Sequence, residues 1–175
     1  MRVTHEIEIT PASVILDGQT IATTEHGEKQ LSELYHRFVG DYPKFYKMDT
    51  LARLGFIAAE LLVRAEGDAD TSDRAVIMAN RHASIKNDTD YLHSIAPDNY
   101  YPSPALFVYT LPNIVTGEIA IRHHYYGETA FYILEQPEQL LPILQTTPVQ
   151  SAIAGWCEAT DANTYYAKIQ IIWNN

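Results

Sequence analysis

"RAVIMAN", residues 74 to 80, is the stretch that most restricts the fold. Its interior is continuously apolar, short, and bordered by polar residues. A strand of this kind has both faces covered, which requires layers on either side of a sheet. "TAFYIL" (129–134) and "SAIAGWCEA" (151–159) have the same character and are expected to be further buried strands. Helical patterns separate them, so the segments describe an α/β layer structure.

The flanking segments read clearly. "RVTHEIEI" alternates, with Val3, His5, Ile7 and Ile9 on one face of a strand. Asp17-Gly18 between two β-prone runs predicts a hairpin. Leu31, Leu34, Tyr35, Phe38 and Val39 share a helical face that stops near Gly40, and Pro43 then breaks the chain. Asp49 is placed to cap a second helix, in which Leu51, Leu54, Ala58, Leu61 and Leu62 belong to a nearly all-apolar circumference. A short helix opening at Asn87 or Asp88 follows "RAVIMAN". A proline-led helix then carries Leu140, Leu141, Ile143 and Leu144, with Pro137 near its first turn. "TYYAKIQIIW" alternates and is expected to be the last strand. Residues 1–175 read as a single domain.

With 22 acidic and 12 basic residues the formal charge is -10, which disfavours nucleic acid and anionic membranes as partners. No apolar run reaches membrane-spanning length, and the start of the chain lacks a signal-peptide core, so a cytoplasmic location is expected. The single cysteine, Cys157, lies mid-strand beside Glu158, where nothing stabilises a thiolate; it reads as core. His82 and His93 near Asp88 and Asp90 lack metal-site spacing, and no metal or cofactor motif is present.

The segment 101–129 is ambiguous by periodicity. "EIAIR" alternates like a strand, whereas Ile114, Gly117, Ala120, Ile121 and His124 share a helical face that Pro112 or Asn113 opens. His123 and His124 are adjacent, so their side chains diverge; they read as a surface or packing pair rather than as ligands.

In order, these segments resemble the N-terminal half of a β-ketoacyl-acyl-carrier-protein synthase, of the thiolase-like superfamily. The resemblance rests most on Ser103-Pro104, Phe107, Thr110, Pro112-Asn113, Gly117, Ile119, Ile121-Arg122 and Gly127, and spans roughly residues 45 to 160. It implies a thiolase-like half-domain, a layered mixed sheet with helices on its faces, and a helical reading of the ambiguous segment. It also places the family's nucleophilic cysteine at Gln136, within a residue, so that acylation there is not expected. The family's C-terminal half has no counterpart here. Gln in that position further resembles chain-length-factor subunits.

The resemblance implies a non-catalytic accessory subunit. It would pair as a homodimer, or as a heterodimer with a full-length synthase, in fatty-acid, polyketide or polyene-pigment synthesis. The strand "TAFYIL" would supply the dimer edge, and an uncovered sheet face would need a partner. Two alternatives stand beside it. One is a small acyl-transfer or malonyl-decarboxylating enzyme rebuilt around Asn113, His123, His124 and Gln136. The other is a module binding an acyl group or acyl carrier protein, docked through Lys44, Lys47 and Arg53.

Overall fold

The computed structural model describes residues 1–95 and 101–174. Strands β1 (Arg2–Thr10), β2 (Ser13–Leu16) and β3 (Gln19–Thr20) come first, followed by helices α1 (Glu28–Phe38) and α2 (Thr50–Glu66). Strand β4 (Ala75–Asn80) leads to α3 (Ile85–His93), α4 (Pro104–Val108) and α5 (Ile114–His123). Strand β5 (Thr129–Ile133), helix α6 (Leu140–Thr146) and strands β6 (Ser151–Asp161) and β7 (Thr164–Trp173) complete the order. Short 3-10 turns start at Pro43 and Pro137.

All seven strands join one sheet in the order β3-β2-β1-β7-β6-β4-β5. The strands β4, β5 and β6 run parallel, and β7 runs antiparallel to both β6 and β1. The hairpin forms as expected, with Asp17 and Gly18 both at positive φ, as a tight turn between twisted strands requires.

The larger core lies on the face covered by α1, α2 and α5. Asp49 caps α2 by accepting the Ala52 N–H, and the helix buries residues around nearly its whole circumference. Gly55 permits this closeness: a Cβ there would stand 2.6 Å from Val115 Cγ2 and 3.3 Å from Cys157 Sγ. Cys157 itself is fully buried.

The opposite face is divided. Its β4 and β6 residues (Ala75, Ile77, Ala79, Ala152, Ala154) are apolar and lie under Leu140 and Leu144 of α6. Its β1 and β7 residues are polar except for Val3 and Ile172 at one end: Glu6 stands opposite Gln170 and Glu8 opposite Lys168. An antiparallel pair with one face in water has this composition. The expectation of an apolar face in need of a cover is thereby narrowed to the strip beside α6.

Four local expectations are corrected. β5 is not buried on both faces; it is the sheet edge, and all its residues keep some exposure. α3 starts two to three residues early, with Ser84 at its cap, while Asn87 is buried inside it and bonds the Leu106 carbonyl. α5 is a helix, but it buries Val115, Thr116, Ile119 and Ala120, leaving Ile121 in water. A bulge between Val3 and His5 turns Val3 outward, where it is 48% exposed.

Candidate functional site

The carboxyl ends of the three parallel strands come together, and charged residues stand just beyond each. β4 ends at Asn80, whose side chain closes the next turn. Its Oδ1 accepts the Ala83 N–H at 2.8 Å and its Nδ2 donates to the Ala83 carbonyl at 2.9 Å, with Ala83 at positive φ. Arg81 follows, its N–H donating to Glu158 Oε2 on β6 at 2.9 Å and its guanidinium lying 3.0 Å from Glu135 beyond β5. His82 Nδ1 is 3.4 Å from the same Glu158 oxygen. The other Glu158 oxygen is buried and has no hydrogen-bond partner. Register explains the convergence: Ala79 pairs with Trp156 and Asn80 with Ile133, so residues one or two further on meet past the sheet.

Gln136 stands at the rim of this cluster and is exposed. It forms a capping box with Gln139: its N–H donates to Gln139 Oε1 at 2.9 Å and its side chain accepts the Gln139 N–H. A carboxamide used this way orders the turn ahead of α6 and offers no nucleophile.

The two histidine candidates lie away from it, at the amino end of β4, where the Tyr126 N–H donates to the Ser72 carbonyl. Asn113 sits at the start of α5 and its side chain makes no cap bond. His123 and His124 close the far end of that helix, about 15 Å along its axis. His123 Nε2 lies 2.6 Å from Glu60 Oε1 without the alignment of a hydrogen bond, and its ring stacks on Tyr125. His124 takes the left-handed conformation that ends the helix. His123 is thus packed beside Tyr125 and Glu60, and His124 terminates the helix. Among the described residues no group of three His, Cys, Asp or Glu side chains is placed to hold a metal. Burial, then Glu158 and Asp49, pushes the Cys157 thiol far up, so this cysteine is not a thiolate.

Arg81, Glu135 and Glu158 are not among the sequence candidates, and His82 meets Glu158, a residue far from it in the chain. The available signal was positional: charges immediately past the ends of three apolar strands.

Two of the three basic residues of the expected carrier-docking patch have acidic partners. Lys44 lies 3.3 Å from Glu118 and Arg53 lies 3.0 Å from Glu28; Lys47 is exposed.

The β5 edge is open. Glu128 accepts from Val76 and Leu134 donates to Asn80, so alternation turns the N–H and C=O of Thr129, Phe131 and Ile133 away from β4. The strand has no proline, lysine or bulge to protect these groups, and Ile133 is 51% exposed. Further apolar side chains stand in water on α3, α4 and the turn after them, including Leu92, Phe107 and Leu111.

Comparison with solved structures identifies the arrangement. A ketosynthase in complex with its chain length factor, from Xenorhabdus doucetiae, is similar over 99% of this chain and 79% of that one. The TM-score is 0.62 and the identity 12%. The ishigamide ketosynthase/chain length factor is similar over 98% of this chain, with TM-score 0.66 and 15% identity.

The fold is that of the ketosynthase/chain length factor structures.

The chain spans 61% of the ishigamide neighbour. No protein-family model and no curated protein matches the sequence. The mixed sheet with helices on its faces agrees with the α/β reading. No helix among the described residues is long and apolar enough to cross a membrane.

Proposed function

We propose that this chain is a non-catalytic, ketosynthase-like accessory subunit that pairs with an active ketosynthase through β5. The process served is polyketide, polyene-pigment or fatty-acid synthesis. The observation that carries this reading is the unprotected β5 edge, which leads directly into a turn holding Gln136 where the resemblance places the nucleophile. Both solved neighbours are ketosynthases with chain length factors, which supports a heterodimer over a homodimer. The acyl-transfer alternative is disfavoured, because His123 and His124 lie at the opposite end of α5 from Asn113. Direct docking of an acidic acyl carrier protein is disfavoured by the charge of -10 and by the paired state of Lys44 and Arg53.

Size-exclusion chromatography of the chain mixed with a ketosynthase from the same gene neighbourhood tests the pairing. Co-elution at a one-to-one ratio is expected. Ile133→Lys, at an already exposed edge position, is expected to abolish co-elution while leaving the thermal midpoint of the isolated chain unchanged. A chain that stays separate from the ketosynthase, or an Ile133→Lys variant that still binds, refutes this mode of pairing. Incubation with malonyl- or acyl-thioesters is expected to leave no acyl group on the protein.

A further inference from the structure

The strip beside α6 on the polar face of the sheet holds a slot of about 530 Å³. Ligand pockets for small molecules fall in this range. One wall is apolar, formed by Leu140, Leu141 and Leu144 of α6. Leu141 is 51% exposed, an outlay of apolar surface that the fold itself does not use. The other wall is β7, from Tyr166 through Lys168 and Gln170 to Ile172, a run of about 20 Å.

Polarity changes along the slot. At one end Trp156, Tyr166 and Lys168 combine flat apolar surface with hydrogen-bonding groups. At the other end Met1, Val3, Leu144 and Ile172 offer mainly hydrocarbon, with Gln145 beside Leu144. A linear molecule with a polar head and an apolar tail matches both ends.

The charges decide the kind of head. Lys168 faces the slot directly and opposes a cation. Behind it, on β1, stand Glu6, 3.5 Å from the Lys168 ammonium, and Glu8, directly opposite it in register. These two carboxylates outnumber the lysine and oppose an anion. Glu6 is also held by the Gln170 carboxamide. The Tyr166 phenol is held up by its burial and then by Glu8 and Glu6, so it stays a neutral donor.

We propose that this slot is a binding site for an uncharged linear amphiphile, an apolar chain ending in a neutral hydrogen-bonding group such as an alcohol, amide or ester. The site lies on a different surface from the β5 edge, and it stands or falls independently of ketosynthase pairing.

Trp156 lines the slot, whereas Trp173, the other tryptophan, donates to Glu66 and packs with the helix-covered core. Tryptophan emission therefore reports occupancy. Titration with decanol is expected to give a saturable shift, while decanoate and decylammonium need about tenfold higher concentrations. Leu141→Lys is expected to weaken decanol binding about tenfold at an unchanged thermal midpoint. Replacing Glu6 and Glu8 together by Gln is expected to bring decanoate to within about threefold of decanol. The assignment is overturned if decanol does not saturate, if decanoate binds the unaltered chain equally well, or if Leu141→Lys binds as before. It is also overturned if rising protein concentration alone shifts the emission as a dimer appears on size exclusion, since another chain then fills the slot.

Discussion

Among single residues, Arg74 carries the largest stake. It is fully buried at the entrance to β4, between the rings of Tyr125 and Trp173, with its guanidinium forked onto Glu66 at 2.6 and 2.8 Å. Removing one partner strands the other, so Glu66→Gln should cost about 3–5 kcal/mol in urea unfolding near neutral pH. Burial alone would raise the Glu66 carboxyl, but the hydrogen bonds and charge of Arg74 and the Trp173 N–H outweigh it and hold the group below its ordinary 4.5. The stability from this pair is therefore complete above 4.5 and drains as pH falls through the lower folded value; the two proteins should converge there. Cys157 should resist a thiol reagent in the native state and react only on unfolding. At this scale the sequence was legible where a residue acts alone. Core Cys157 and the Asp49 cap both follow from local context. The Arg81–Glu158 and Arg74–Glu66 contacts were hidden, because strand register and the approach of a helix end bring those residues together.

At the level of elements, α2 is the hub of the larger core, and its first turn has an unusual electrostatic setting. Burial raises the Asp49 carboxyl to about 6, against the lowering effects of the Ala52 N–H, Lys86 and Arg53. The charged form is thus the costlier one in the folded chain. Stability should fall as pH rises from 3.8 to about 6 and level off above, the reverse of the Glu66 behaviour. Asparagine caps helices equally well, so Asp49→Asn should be more stable than the unaltered chain by about 1–3 kcal/mol at pH 8, the difference vanishing toward pH 4 in thermal melts. The type of α1, α2, β1 and β7 was readable from period, whereas α5 was ambiguous between strand and helix. Which face each element turns inward was less so. For α5, four apolar or small residues and His124 on one stripe suggested a contact face, yet Val115 and Ile119, one position round, take it. The β5 composition fits a covered strand; the edge position that the resemblance implied is seen in the sheet order, where one side has no neighbouring strand among the described residues.

Over the whole molecule, the sheet is two structures joined along one seam. The parallel strands β4, β5 and β6 form the layered part with apolar residues on both faces; β1, β2 and β3 form a half-wet antiparallel part; β7 stitches them together. Ile171, fully buried on β7 and paired with His5 and Ile153, sits in that seam. Ile171→Ala should cost about 2–5 kcal/mol and lower both parts in one transition by calorimetry. The seam also sets an order of events in time. The Thr4 hydroxyl on β1 reaches the Ile171 carbonyl, 167 positions away in the chain. While the polypeptide is being made, β1 has only its own hairpin for company, and its permanent neighbour does not yet exist. Contacts of such high sequence separation make folding slow, in the range of milliseconds to seconds. During that wait the first strand shows a bare edge to the cell, and a chaperone that shields extended segments would find its target there.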